Sequence, residues 1–400
     1  MIEEDDEEYE DDEEYEYDED EVNTVTTTEV TEITDTTEYS DDEDDEDDEK
    51  NNFDNNKFLI NPSTQVYSEI LKKYGYKDGN KVDFAASIGK IDLIKLLIQS
   101  GEKGTECAIN YSAKNGHLEV LKYLNSIGYK GAEDAIDNAF ENAAKNGHLE
   151  VLKYLHSIGY KGAEDAIDNA FENAAKNGHL EILKYLNSIG YKGAEWIIDN
   201  AFEKAAKNGH LEILKYLNSI GYKGAEDAID NAFENAAKNG HLEVLKYLHS
   251  IGYKGTEWKI NNAFENAAKN GHVEILKYLH ELGYKCTKFS IDNTFKNAVK
   301  NGRLEVLKYL HSIGYKDVED AIDNAFENAA KNGHLEALKY LHSIGYKGAE
   351  WIIDNAFKKA VKNGRLEELK YLHELGYECT KWKICCVAKN GDFEILKILA

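Results

Sequence analysis

Apolar residues along this chain recur on a fixed plan. Between Gly131 and Gly147 they fall at Ala132, Ala135, Ile136, Ala139, Phe140, Ala143 and Ala144, the i, i+3, i+4, i+7 series of a single helix face. Glu133 and Asp134 in the first turn and Lys145 in the last complement the helix dipole. Gly147 supplies a left-handed residue to end the helix. A second helix is predicted from near His148, running Leu149 to Ile158 and stopping at Gly159. At about 100° per residue its apolar side chains cover well over half the circumference, leaving Glu150, Lys153, His156 and Ser157 on the narrower polar arc. The second helix is therefore expected to be sandwiched between neighbours. The first is expected to bury a stripe of small residues, where alanine permits close approach.

This two-helix unit repeats. A glycine preceded by asparagine stands at 116, 147, 178, 209, 240, 271, 302, 333 and 364, always 31 residues apart, with Gly89 and Gly391 each 27 residues beyond the ends of that series. A fixed period of this size marks a solenoid. Residues 131–161 and 224–254 are identical throughout, which disfavours an active site assembled from unique loops. The 27-residue unit around residues 104–116 lacks four residues of the longer units. Four residues are close to one helical turn, so the extra Asp137-Asn138-Ala139-Phe140 either lengthens the first helix without rotating its face or lies in the connecting loop.

Charge divides the chain. Residues 1–50 hold 29 acidic residues and one basic residue, Lys50, so they carry −28 of the net −29, and residues 51–400 sum to −1. That N-terminal stretch cannot bury enough apolar surface to offset its ordering entropy and is expected to be a disordered acidic tail. Residues 51–62 read as a linker ending at Pro62, the single proline. Residues 63–80 read as an N-terminal capping helix, and 81–400 as the repeat body of about eleven units. Near its end, Phe393–Ala400 reads as an apolar helical segment without the closing Gly-Tyr of other units. No apolar run is long enough to span a membrane, and the acidic start is the opposite of a secretory signal. Five cysteines without C-x-x-C spacing argue against a disulfide framework or a four-ligand zinc site, and for a reducing, intracellular setting.

Little in the repeat points to chemistry of its own. All 13 histidines occupy two repeat positions, typified by His148 and His156. Copies one unit apart lie about 10 Å from each other, too far for shared metal coordination at about 2 Å, and Arg303 and Arg365 replace the first type. No phosphate loop, nucleophile elbow or H-E-x-x-H motif occurs, so no catalytic, metal or cofactor-binding residue is assigned and no small-molecule substrate is expected. Residues 131–161 hold five acids against three lysines, without the basic stripe that nucleic acid requires. The tyrosines of the Tyr154 and Tyr160 types read as core rather than as base-stacking platforms. One position breaks the monotony: the fourth residue of successive units is Asp134, Asp165, Trp196, Asp227, Trp258, Phe289, Asp320, Trp351 and Trp382, and takes all four tryptophans. It lies about 200° around the helix from Ala132, away from the alanine stripe. Two readings fit it: exposed aromatic anchors for a partner, or packing of each ring onto an adjacent loop between units.

The segment Ala143-Ala-Lys-Asn-Gly-His-Leu-Glu-Val-Leu-Lys-Tyr-Leu-His-Ser-Ile-Gly159 resembles the helix–turn–helix core of an ankyrin repeat, and is most similar to the Asn-, Lys- and Tyr-rich ankyrin proteins of giant DNA viruses and amoebae. The likeness recurs across residues 81–400. The family's Thr-Pro-Leu-His start is missing, and Gly-Tyr-Lys replaces the Gly-Ala-Asp that follows the second helix, so the β-hairpin finger is expected to be short or absent. The resemblance implies an all-α, ankyrin-like solenoid that binds a protein partner on its extended concave surface without catalysis, in the cytoplasm (the host's, if the protein is viral). The candidate partner-binding residues are Trp196, Trp258, Phe289, Trp351 and Trp382. Two other functions compete with this one: a structural spacer, suited to near-identical units, and an acidic chaperone-like binder of basic proteins acting through residues 1–50.

Overall fold

The computed structural model describes residues 64–129, 131–160, 162–284, 288–314, 319–345 and 350–375. The chain divides into two units, Met1–Ile60 and Asn61–Ala400, and every described residue belongs to the second. The expected acidic tail, the linker, Trp382 and the final apolar segment lie outside the described residues. Twenty-one α-helices and no strand occur among the described residues. After a helix at Thr64–Lys73, ten pairs follow, beginning with Lys81–Ser87 and Ile91–Gln99 and ending with Glu350–Lys362 and Leu366–Glu374. This is the all-α repeat solenoid that the 31-residue period predicts. The fully described connections at 191–194, 222–225 and 253–256 contain no strand, so no hairpin finger projects there.

The short and long units differ in the first helix. Cys107–Lys114 has 8 residues where Glu133–Lys145 has 13, so the additional Asp137 to Phe140 lengthen the helix and do not expand the loop. Each first helix buries the alanine stripe: Ala139, Ala143 and Ala144 are fully enclosed and Phe140 nearly so. With methyl groups at the contact, first helices of adjacent units pack closely along their length, whereas second helices touch at few points. The first helices therefore form the closely packed side of the stack.

Two sequence readings need correction. The second helix Leu149–Ser157 buries only Val151, Leu152 and Leu155; Tyr154 is half-buried and Ile158 is 44% exposed. Ile158 is the C-cap residue, where the chain leaves the helix, so the helical wheel no longer predicts its direction. Ala132 likewise is an exposed N-cap residue and not part of the buried stripe.

Both helices of a unit end in the same turn. Gly147 donates its N–H to Ala144 and His148 donates to Ala143 (3.3 and 2.8 Å), with Gly147 at φ +82°; these are the paired bonds of a Schellman closure. Gly159 and Tyr160 repeat the arrangement on His156 and Leu155. At the first turn, histidine also ties one unit to the one before it. Nε2 of His148 donates to the Lys114 carbonyl at 2.9 Å, and His179 and His210 donate likewise to Lys145 and Lys176 at 3.0 Å. Each acceptor is the last residue of the preceding unit's first helix, one of the carbonyls that a helix end leaves unsatisfied. Arg303 and Arg365 make the same bond through Nε to Lys269 and Lys331, so donor capacity toward a carbonyl is what the position requires. Glu150 and Lys153 pair at 2.6 Å on the exposed face, worth a few tenths of a kcal/mol.

In four successive units the tyrosine after the second helix packs back onto its own first helix. The Tyr160 ring lies tilted on Phe140 with centroids 5.2 Å apart, and its hydroxyl donates to the Asp137 carboxylate. Tyr191, Tyr222 and Tyr253 repeat this on Phe171 and Asp168, Phe202 and Asp199, and Phe233 and Asp230. Both partners of the tyrosine come from the four residues that short units lack. In the 104–129 unit the Tyr129 hydroxyl instead donates to the Gly104 carbonyl. Burial is the main reason that the four clamped phenols are held far above their ordinary value.

Two measurements check these ties. Gly178 and Gly190 sit at similar positive φ, +85° and +95°, but a Cβ on Gly178 would meet His210 Cε1 at 2.8 Å, while one on Gly190 meets nothing within 4 Å. Gly190→Ala should cost only the backbone strain, about 1–2 kcal/mol; Gly178→Ala should cost measurably more, read as a lower urea midpoint. Equal midpoints would show that the histidine ring is not held against the turn. Burial, as the leading cause, also holds His148, His210 and His272 below the usual imidazole value. The unfolded chain then binds protons that the folded chain does not, so their contribution is complete above about pH 6.5 and declines as pH falls toward the folded values. The urea midpoint should drop between pH 7.5 and 5.5. The triple variant His148→Arg, His210→Arg, His272→Arg should show a shallower drop, and an unchanged slope would contradict the assignment.

Candidate partner-binding surface on the first helices

The position that exchanges Asp for an aromatic residue lies in the first turn of the first helix. Trp196, Trp258 and Trp351 occupy it in Glu195–Lys207, Glu257–Asn270 and Glu350–Lys362. They are 61, 63 and 61% exposed, more than any other large apolar side chain among the described residues. Phe289 occupies the same place in the helix Lys288–Lys300. Trp382 lies outside the described residues. The rings are not brought together in one cluster, since each stays on its own unit. Packing onto a neighbouring loop does not bury the three described tryptophans.

On a helix of 3.6 residues per turn, residues i, i+4 and i+7 share a face. Trp196 therefore shares one with Asn200 and Glu203, and side chains of that face link each unit to the next. Asn142 donates to Asn110 (2.8 Å), Asn169 to Glu141 (3.2 Å), Asn200 to Glu172 (3.1 Å) and Asn231 to Glu203 (3.2 Å). Burial, ahead of their hydrogen bonds, raises the carboxyls of Glu141 and Glu203 above the ordinary glutamate value.

The tryptophan units add a cation to this row. Lys204, eight residues after Trp196, pairs with the buried Glu172 of the preceding unit. Lys359, eight residues after Trp351, pairs with the buried Glu327 at 2.6 Å. In the Trp258 unit the cation is Lys259, whose Nζ lies 3.2 Å from Asn231 Oδ1, 3.8 Å from Glu234 and 4.9 Å from the Trp258 ring centroid. That unit carries Asn261 in place of the clamping aspartate: Tyr284 donates to the Lys254 carbonyl instead (3.0 Å), and Asn261 Oδ1 is buried without a partner among the described residues. The sequence pattern singles out the tryptophans but not Lys204 and Lys359. The signal was present, because both replace the repeat's usual asparagine in units that also exchange Asp for Trp.

Between these units the first turn of the helix Glu226–Asn239 is acidic. Glu226 and Asp227, on the unit that separates Trp196 from Trp258, are both exposed. No group of three or more His, Cys, Asp or Glu side chains among the described residues could hold a metal ion. No described helix is long and apolar enough to cross a membrane. The arrangement offers apolar anchoring and charge recognition.

No curated protein sequence matches the chain. Among solved structures, the chain is similar to the pentatricopeptide repeat protein PPR10 from maize at 13% identity and a TM-score of 0.33, covering 83% of this chain and 54% of that one. It is likewise similar to PPR10 in complex with an 18-nt psaJ RNA element, at 14% identity and a TM-score of 0.30, covering 84% of this chain and 57% of that one. The chain thus spans little more than half the length of the solved chains it matches. The family described as ankyrin repeats (3 copies) matches in four overlapping spans, residues 82–165, 140–231, 202–290 and 233–320. These spans cover more than half of the sequence and fall on the stacked helix pairs of the solenoid, so the chain belongs to the ankyrin repeat family.

Proposed function

We propose that the repeat body is a non-catalytic scaffold that binds a protein partner along its first helices, with Trp196, Trp258, Phe289, Trp351 and Trp382 as anchors. One observation carries this reading: the three described tryptophans each leave about 60% of their surface open at the same repeat position. The fold gains nothing from a large apolar side chain left in water, whereas truncating a tryptophan at the centre of an interface commonly costs about 2 kcal/mol or more. Ankyrin repeats generally serve as protein-interaction scaffolds, which supports the same conclusion. The acidic first turns disfavour phosphate backbones and favour a protein as the partner. The Gly-His-Leu-Glu core supports the finer likeness to ankyrin proteins of giant DNA viruses and amoebae, and with it an intracellular site of action.

The charge of residues 1–50, −28 of the net −29, supports a second, separable activity: electrostatic attraction of basic proteins by the tail. Binding of that kind weakens as salt rises from about 50 to 300 mM, whereas tryptophan-anchored binding persists.

The test is affinity capture from the source cell with the full-length chain and with the triple variant Trp258→Ala, Trp351→Ala, Trp382→Ala. A partner whose recovery at about 300 mM salt falls at least tenfold with the variant is the expected result. Recovery that does not change would remove the anchor role.

A further inference from the structure

The surface between Trp196 and Trp258 specifies more than a general protein partner. Resting on the anchor role of the tryptophans, we propose that these two rings, with Glu226 and Asp227 between them, recognise an extended segment of a partner protein. That segment carries apolar side chains at positions i and i+6 and a lysine or arginine at i+2 or i+4.

Spacing comes first. Trp196 and Trp258 are 62 residues, two units, apart on equivalent helices. Packed helices lie about 8–10 Å from axis to axis, so the rings stand about 16–20 Å apart. An extended chain advances about 3.3 Å per residue and returns to the same face every second residue. Six residues span that gap with both apolar side chains on the side facing the protein, whereas five would turn one of them away.

Charge then sets what lies between. Beside the tryptophans, carboxylates of the row are met by the protein's own cations: Glu172 by Lys204, and Glu234 by Lys259. On the intervening unit Glu226 and Asp227 are exposed, and neither has an ion pair among the described residues. Glu195 and Glu257 flank the rings in the first turns. A ligand crossing this surface therefore meets aromatic, acidic and aromatic zones in order. Positions i+2 and i+4 of the segment place a long basic side chain within reach of the middle zone, where Lys and Arg complement the carboxylates. The Trp258 ring already takes the Lys259 ammonium, so its environment suits cations as well as aliphatic groups.

A library of randomised 12-residue peptides displayed on phage, selected on the immobilised full-length chain, tests the proposal. The expected motif has two apolar residues six apart with Lys or Arg at i+2 or i+4. Peptides carrying it should lose at least tenfold in affinity with Trp196→Ala or with Trp258→Ala. Asp227→Lys should switch the preferred intervening charge from basic to acidic, a change that a merely weakened fold would not produce; far-ultraviolet circular dichroism verifies the fold of each variant. Tryptophan-dependent peptides with another spacing, or a charge preference indifferent to Asp227→Lys, would overturn the proposed register and leave the anchor role standing. Selected peptides indifferent to both tryptophans, or no enrichment at all, would overturn both.

Discussion

Close contact between alanine faces is the constraint on which the rest of the molecule depends. Ala139, Ala143 and Ala144 and their copies are fully enclosed, and they can be so only because an almost identical stripe arrives from the neighbouring unit. One helix pair presents too little apolar surface to stand alone, so each unit is folded by its neighbours. The requirement is reciprocal: a buried residue must fit the unit before it and the unit after it. This explains why the alanines, Phe140 and the Gly-Tyr closure recur with little change, while the larger side chains gather on surfaces that face no copy of themselves.

Hydrogen bonding reinforces the same stacking. Each first helix ends with carbonyls that need donors, and the next unit supplies one through His148 and its equivalents or through Arg303 and Arg365. The glycine at the turn is constrained twice, by its positive φ and by the imidazole lying where a Cβ would stand. Phe140 and Asp137 add a second tie, within the unit, by holding the Tyr160 loop down on its own helix. The four residues that distinguish long units from short ones thus supply an alanine of the stripe and both partners of the clamp, which accounts for their appearance as a block.

Much of this was legible in the sequence, because each structural requirement is printed many times over. The period, the two helices, the glycine turns and the i, i+3 ion pairs follow from residue spacing alone. What was not legible depends on contacts between distant positions. Nothing local shows that Tyr160 reaches back to Asp137, or that the histidine donates to a carbonyl 34 residues earlier. Ile158 was misread because helical periodicity was carried one residue past the point where the helix ends. At the candidate surface the tryptophans stood out as departures from the repeat, whereas Lys204 and Lys359 became meaningful only when their partners Glu172 and Glu327 proved buried in the preceding unit.

Those lysines bear on how an almost uniform array can discriminate among ligands. Identical units present identical faces, so a ligand that fits one fits its neighbour equally well and slides from register to register. Register appears where the repeat is broken. Exchanging Asp for Trp removes a negative charge from the first turn and adds an aromatic surface, and the accompanying lysine neutralises a carboxylate one unit away, so a single altered unit changes the character of two. Because Trp196 and Trp258 are separated by one unit, which carries Asp227 at this position, while Trp258 and Trp351 are separated by two, which carry Phe289 and Asp320, the series is not symmetric along the stack. A ligand long enough to span several of these zones meets them in one order and one spacing only, and it is that order, written on a surface the core leaves free to vary, that gives a repetitive protein a direction.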